Sequence, residues 1–123
     1  YKRQDINKLL KEIQTSNVGG ILGTKLKDTV KNVENSEDIK ATIDREHLWI
    51  AQTPQIFRYG LLKKAMQFAF DHALMPTDEA QAIEHHGEKV KIIEGFAGNI
   101  KITESLDLKL AEMILSLRGV SCL

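Results

Sequence analysis

The apolar residues of this 123-residue chain change their period several times, and that switching restricts the fold more than any other feature. An apolar residue at every third or fourth position predicts a helix; one at every second position predicts a half-buried strand. Ile6, Leu9, Leu10 and Ile13 follow Asp5 with helical spacing, so a helix is expected with Asp5 as its N-cap and Ser16-Asn17 at its exit. Val18 to Leu22 reads as a short buried strand whose Gly19 and Gly20 allow strand and helix to pack closely. Lys25 to Val33 and Ile39 to Ile43 both alternate around a polar stretch, so Lys27 to Asp44 reads as a long β-hairpin. Leu48 to Phe57 is apolar at both ends and holds Gln52-Thr53-Pro54-Gln55 between them. The proline argues against a regular central strand, and the reading is an extended segment with an irregular polar stretch facing something.

The second half continues the alternation. Arg58 to Leu74 is expected to be helical on a face of Leu61, Leu62, Ala65, Met66, Ala69 and Ala73, with Met75-Pro76 as the stop. Thr77-Asp78-Glu79 reads as the start of another helix, capped by Thr77 and ended by Gly87. Val90 to Ile93 is a strand and Ile100-Lys101-Ile102 a short extended piece. Thr103 is expected to cap a last helix that buries Leu108, Ala111, Ile114 and Leu115. Helices alternating with short strands indicate an α/β domain, and the length allows one such domain. Only three or four core strands can be counted, so a sheet edge is left that more chain would cover. The hairpin is polar on at least one face and marginal alone. It should lie against a parent domain or a second subunit.

Composition removes several function classes. Seventeen Lys plus Arg balance seventeen Asp plus Glu, which argues against a nonspecific nucleic-acid binder. A 42% hydrophobic and 28% charged composition is that of an ordinary globular domain, not a disordered one. Apolar runs are only a few residues long, so no transmembrane helix is expected. The single cysteine, Cys122, excludes an internal disulfide and a multi-cysteine zinc site, and it fits a reducing, cytoplasmic-type compartment. Near the terminus and without a positioned base, it reads as an exposed thiol rather than a nucleophile. The chain begins at Tyr1 with no signal-peptide pattern and reads as starting inside a longer protein.

The chemistry-bearing residues are mostly of one kind. His85 and His86 are adjacent, and neighbours on a helix point about 100° apart, so they read as a solvated helix end rather than a chelating pair. The glycines lack the spacing of a dinucleotide or triphosphate loop, and no Gly-x-Ser-x-Gly is present. What remains is an anion-binding set: Thr29 and Arg45 on the polar hairpin, Thr53 in the proline-interrupted segment, Thr77 at a helix start, and Lys101 between two isoleucines. Arginine offers a bidentate fork to phosphate and lysine a point charge, while threonine hydroxyls donate to phosphate or sugar oxygens. Each has a bland alternative: Arg45 beside Asp44 as a surface pair, Thr77 as a cap.

Together the residues resemble a known family. Asp28-Thr29-Val30-Lys31, Thr42-Ile43-Asp44-Arg45, Leu48 to Phe57, Thr77-Asp78-Glu79-Ala80, and Asn99-Ile100-Lys101-Ile102-Thr103 stand in the order and spacing of the 2-C-methyl-D-erythritol 4-phosphate cytidylyltransferases. The resemblance covers almost the whole chain. It implies a partial Rossmann-like nucleotidyltransferase domain with a protruding β-arm at about 27–44, and a homodimer whose arms reach across to the partner. It implies cytidylyl transfer from CTP to methylerythritol phosphate with Mg²⁺ in non-mevalonate isoprenoid synthesis, in a bacterial cytoplasm or a plastid. No membrane or nucleic-acid partner is implied. Thr29 and Arg45 would then meet the substrate in the partner's site, with Thr53 and Thr77 as hydroxyl contacts and Lys101 on the substrate phosphate. The family's glycine-rich CTP loop and its Asp-Ala-Ala-Arg segment with the metal-binding aspartate have no counterpart here. Residues 1–123 therefore read as the C-terminal part of one cytidylyltransferase domain, with no catalytic or metal residue of their own and inactive alone. Two alternatives stand: a ribitol 5-phosphate cytidylyltransferase, and a noncatalytic, dimerising sugar-phosphate-binding fragment.

Overall fold

In the computed structural model, which describes residues 2–34 and 37–117, the switching period becomes alternating helix and strand. The elements are α1 (Arg3–Ile13), β1 (Gly19–Lys25), β2 (Val30–Val33), β3 (Ile39–Ile43), β4 (Trp49–Phe57), α2 (Tyr59–Asp71), α3 (Glu79–His85), β5 (Lys91–Glu94) and α4 (Ser105–Ser116). Three strands form the core sheet in the order β4-β1-β5, antiparallel on one side of β1 and parallel on the other. The α/β expectation holds, at the lower end of the strand count.

Strand β1 is the centre, and its first five residues are buried. Its glycines make that possible. A Cβ on Gly19, which sits at φ +138°, would lie 2.1 Å from the Ile56 carbonyl oxygen of β4. One on Gly20 would lie 3.0 Å from Ile13 of α1, so this glycine does bring helix and strand together. Leu9 of α1, Leu22 of β1 and Ile93 of β5 form one core cluster, with Ile13 and Ile56 against it. The helix itself begins earlier than expected. Lys2 is the N-cap, and Asp5 stands three residues inside, where its carboxylate accepts the Lys2 backbone N–H at 3.0 Å. An acid at this position reaches back to an orphan donor, which sequence spacing alone does not separate from capping itself.

Strand β4 departs most from expectation and explains its proline. The segment is a strand of nine residues. Its pairing steps from Ile21↔Gln55 to Leu22↔Gln52, so Thr53 and Pro54 bulge out unpaired, joined by a cis peptide bond. A sheet tolerates proline at an edge or a bulge, and here it has both. The polar insert is therefore the bulge.

Helices α2 and α3 pack on each other beside the end of the sheet where Val18, Phe57 and Val90 lie, around Ala65, Ala82 and Ile83. Helix α2 stops at Asp71, short of the expected Leu74. Ala73, expected on its buried face, instead takes the left-handed conformation at φ 52°. The Leu74 N–H then reaches the Ala69 carbonyl at 2.9 Å and the Ala73 N–H that of Phe70 at 3.1 Å, which closes the helix end. Gly87, at φ +90°, closes α3 in the same way, as expected. The cap at the other end of α3 is Asp78, not Thr77: its carboxylate accepts the Gln81 N–H at 2.8 Å.

Beyond β5 two expectations fail. Ile100-Lys101-Ile102 is irregular, because the ladder of β5 with β1 ends at Glu94. Helix α4 is capped at Glu104 rather than Thr103, and none of its residues is buried. Leu108 is exposed, and Ala111, Ile114 and Leu115 are only half covered, because no described element packs broadly against this helix. The hairpin β2–β3 is a separate two-stranded sheet, as its alternation suggests. It leaves Val33 and Ile39 exposed. The alternation before it is not one strand: β1 takes the chain to Lys25, the Leu26 N–H still bonds the Leu48 carbonyl, and only Val30 resumes pairing. No described helix is long and apolar enough to cross a membrane. The thiol of Cys122 and positions 35 and 36 of the expected turn lie outside the described residues.

Candidate functional site

A cavity of about 810 Å³ opens between β4, the α2–α3 connection and the loop after β5. Thr53, Thr77 and Lys101 all line it. These three residues are 48 positions apart at the extremes, and the fold brings them together by three separate devices. The β4 bulge turns Thr53 out of the ladder. The α3 cap holds Thr77, whose N–H donates to Gln81 Oε1 at 2.6 Å. The loop after β5 carries Lys101.

Two glutamines of the polar insert tie these devices to one another. Gln55 reaches from β4 to the start of α3: its Nε2 donates to Asp78 Oδ2 at 2.9 Å, and its Oε1 accepts the Ala80 N–H at 3.1 Å. The first turn of α3 is thus capped by two side chains, one from its own chain segment and one from the sheet. Gln52 donates through Nε2 to the Phe96 and Asn99 carbonyls, each at 3.1 Å. Its Oε1 is buried and has no hydrogen-bond partner. Asn99 answers by donating from Nδ2 to the Thr53 carbonyl at 2.6 Å. Sequence reading singled out the threonine of the insert and missed the glutamines. The signal was present as a polar stretch inside an apolar run, which needs partners to be buried at all.

The lining carries groups for an anion and groups for hydroxyls. The described residues contain one ion pair, Lys40–Glu34 on the hairpin, so Lys101 brings an unpaired cation to the cavity rim. Asp78 and Glu79 also line the cavity and carry carboxylate oxygens that can accept from sugar hydroxyls. Asp107 is held below its ordinary range by the backbone N–H groups of Thr103 and Glu104 and then by the Thr103 hydroxyl. It belongs to the start of α4, not to the cavity.

Thr29 and Arg45 do not join this cavity. Both are exposed at the root of the hairpin, and the Arg45 guanidinium donates to the Lys27 carbonyl. Among the described residues no three His, Cys, Asp or Glu side chains converge as a metal site would require. His86 instead packs edge-on to Phe68, whose ring also lies against His72. In the cavity both Asp78 carboxylate oxygens are engaged, by the Gln81 N–H and the Gln55 amide, which leaves Glu79 as the one other lining carboxylate and a poor match to a Mg²⁺ centre.

Comparison with known proteins places the chain in a family. Residues 1–117 match the family described as 2-C-methyl-D-erythritol 4-phosphate cytidylyltransferase. A protein of that description from Azoarcus sp. (strain BH72) is 44% identical over 113 residues, covering 92% of this chain and 46% of that protein. One from Mannheimia succiniciproducens is 47% identical over 113 residues, covering 92% of this chain and 49% of its own length. The crystal structure of the Francisella tularensis enzyme superposes with a TM-score of 0.82 at 36% identity, over 91% of this chain and 52% of that one. The chain spans about half the length of the curated relatives it matches. With a family match along nearly its whole length and a shared fold, this chain belongs to the 2-C-methyl-D-erythritol 4-phosphate cytidylyltransferase family.

Proposed function

We propose that these residues form the sugar-phosphate-binding and dimerising part, the C-terminal portion, of an enzyme that transfers a cytidylyl group from CTP to 2-C-methyl-D-erythritol 4-phosphate. The observation that carries the reading is the convergence of Thr53, Thr77 and Lys101 on one cavity, a cation at its rim and hydroxyls and carboxylates on its walls. A polyol phosphate has the matching polarity. In nucleotidyl transfer the acceptor's phosphate must approach an already charged α-phosphate, so a fixed cation lowers the repulsion and holds the attacking oxygen in line. Lys101 serves the acceptor phosphate, and Thr53 and Thr77 orient the polyol.

The CTP phosphates and Mg²⁺ are assigned to residues outside this chain, as the family resemblance implies; Lys101 is the one Lys or Arg that lines the cavity, and both oxygens of Asp78 are already engaged. The hairpin is assigned to a second copy of the protein, where Thr29 and Arg45 complete the partner's site. Its separate sheet and its exposed Val33 and Ile39 support that reading. A bacterial cytoplasm or a plastid is the compartment in which this activity would operate.

The test is CTP-dependent pyrophosphate release by the complete enzyme, with methylerythritol phosphate against ribitol 5-phosphate. Lys101→Ala and Arg45→Ala should each cost about 1.5–3 kcal/mol of binding to the sugar phosphate, on the order of ten- to a hundredfold in KM. Wild-type kinetics in both variants, or a preference for ribitol phosphate, would overturn the assignment.

A further inference from the structure

We infer that Gln52 is a positioning residue: its amide clamps the loop that carries Lys101 onto strand β4, and so sets where the cation stands over the cavity. The inference rests on the sugar-phosphate reading above. Residues 95–104 contain no helix or strand, so little within the loop defines its path. Its backbone N–H groups bond the Gly23 carbonyl from Gly95, the Phe96 carbonyl from Asn99, and the Asp107 carboxylate from Thr103 and Glu104, so only the ends and one turn of the loop are held this way. What ties the rest to the sheet is a pair of crossed amides. Gln52 donates to two loop carbonyls, Phe96 and Asn99, and Asn99 donates back to the carbonyl of Thr53.

The orientation of the Gln52 amide follows from chemistry. Both loop partners are carbonyl oxygens, so the nitrogen must face them. The oxygen is thereby turned to the other side, where it is buried without a partner. There it meets Gly95: a Cβ at that position would stand 2.5 Å from Gln52 Oε1. A glycine at the loop's entry therefore makes room for the clamp. Lys101 follows Asn99 by two residues, so once Asn99 is fixed the Lys101 backbone must lie within about 7 Å of it. A lysine stem is flexible, and the position of its root decides which atoms its ammonium can reach.

The experiment uses the complete cytidylyltransferase and the variants Gln52→Met, which keeps the length and removes both donors, and Asn99→Ala, which removes the returning bond. Each should raise KM for methylerythritol phosphate about tenfold and leave KM for CTP unchanged. In a Lys101→Ala background Gln52→Met should add less than twofold, because the group it positions is gone. A merely structural role would move both KM values and would multiply with Lys101→Ala. Either that pattern, or unchanged kinetics in Gln52→Met beside impaired Lys101→Ala, overturns the clamp and leaves the phosphate role of Lys101 standing. Unchanged kinetics in Lys101→Ala overturns that role and the clamp with it. Should Gln52→Met fail to fold, Asn99→Ala decides the matter by the same comparison.

Discussion

Replacing Asp78 by alanine tests the physical link between the sheet and α3. The helix has seven residues, too few to hold itself, yet it supplies Ala80, Ala82 and Ile83 to the core. Asp78 accepts the Gln81 N–H at 2.8 Å and the Gln55 amide at 2.9 Å. Removing the cap costs about 1 kcal/mol. Leaving the half-buried Gln55 donor unpaired costs about 1 kcal/mol more. The expected loss is therefore about 2 kcal/mol, or on the order of 1 M in the urea midpoint. Urea titrations of the 123-residue chain, followed by circular dichroism, read it directly. Asp78→Asn keeps an acceptor for Gln81 and should recover most of the loss. Gln55→Ala should cost about 1 kcal/mol alone, and the double variant should cost less than the sum, because the two residues share a bond. Full additivity, or an Asp78→Ala midpoint equal to wild type, would refute the argument that Gln55 and Asp78 act as one cap.

Gly19→Ala should destabilise by about 2 kcal/mol or more, since its new methyl would meet the β4 backbone at a positive φ that alanine resists, and thermal unfolding would show it. Ala73→Gly should stabilise by about 0.5–1 kcal/mol, relieving the left-handed alanine at the end of α2; an unchanged or lower midpoint would count against the strain. Asp107 has a lowered folded pKa, so its support of the α4 start is present above the ordinary carboxylate value and lost as pH falls through the folded one. Helical signal should fall over that acid range, and Asp107→Asn should flatten the response. Light scattering should give the mass of a dimer if the hairpin crosses between copies; a folded monomer would remove that assignment.

How much was legible depended on what each residue's role requires. The helices and β1 were visible because burial of Leu9, Leu22 and Ala65 imposes a period on the chain. Caps were misplaced by one to three residues at Asp5, Thr77 and Thr103, because Ser, Thr and Asp serve as cap, pre-cap or first-turn acceptor with similar sequence patterns. The buried face expected on α4 failed for another reason: periodicity states which face is apolar, not whether anything in these residues covers it. Thr53, Thr77 and Lys101 were legible through chemical type and through resemblance to a family. Gln52, Gln55 and Asn99 were not, since their work lies in partners 23 to 47 positions away that no local pattern names.

The placing of β1 has a consequence for the order in which the chain folds. Hairpin β2–β3 pairs residues close in sequence, such as Val33 with Ile39, and can close within microseconds on its own. The parallel ladder of β1 with β5 joins Gly20 to Lys91, so some seventy residues of loop entropy must be overcome before it forms. Until β5 arrives, one side of the central strand is open while the hairpin already exists as a ribbon with bare edges. The vulnerable interval of folding is therefore the wait for Lys91–Glu94, and crowding or a high concentration of chains would act there first.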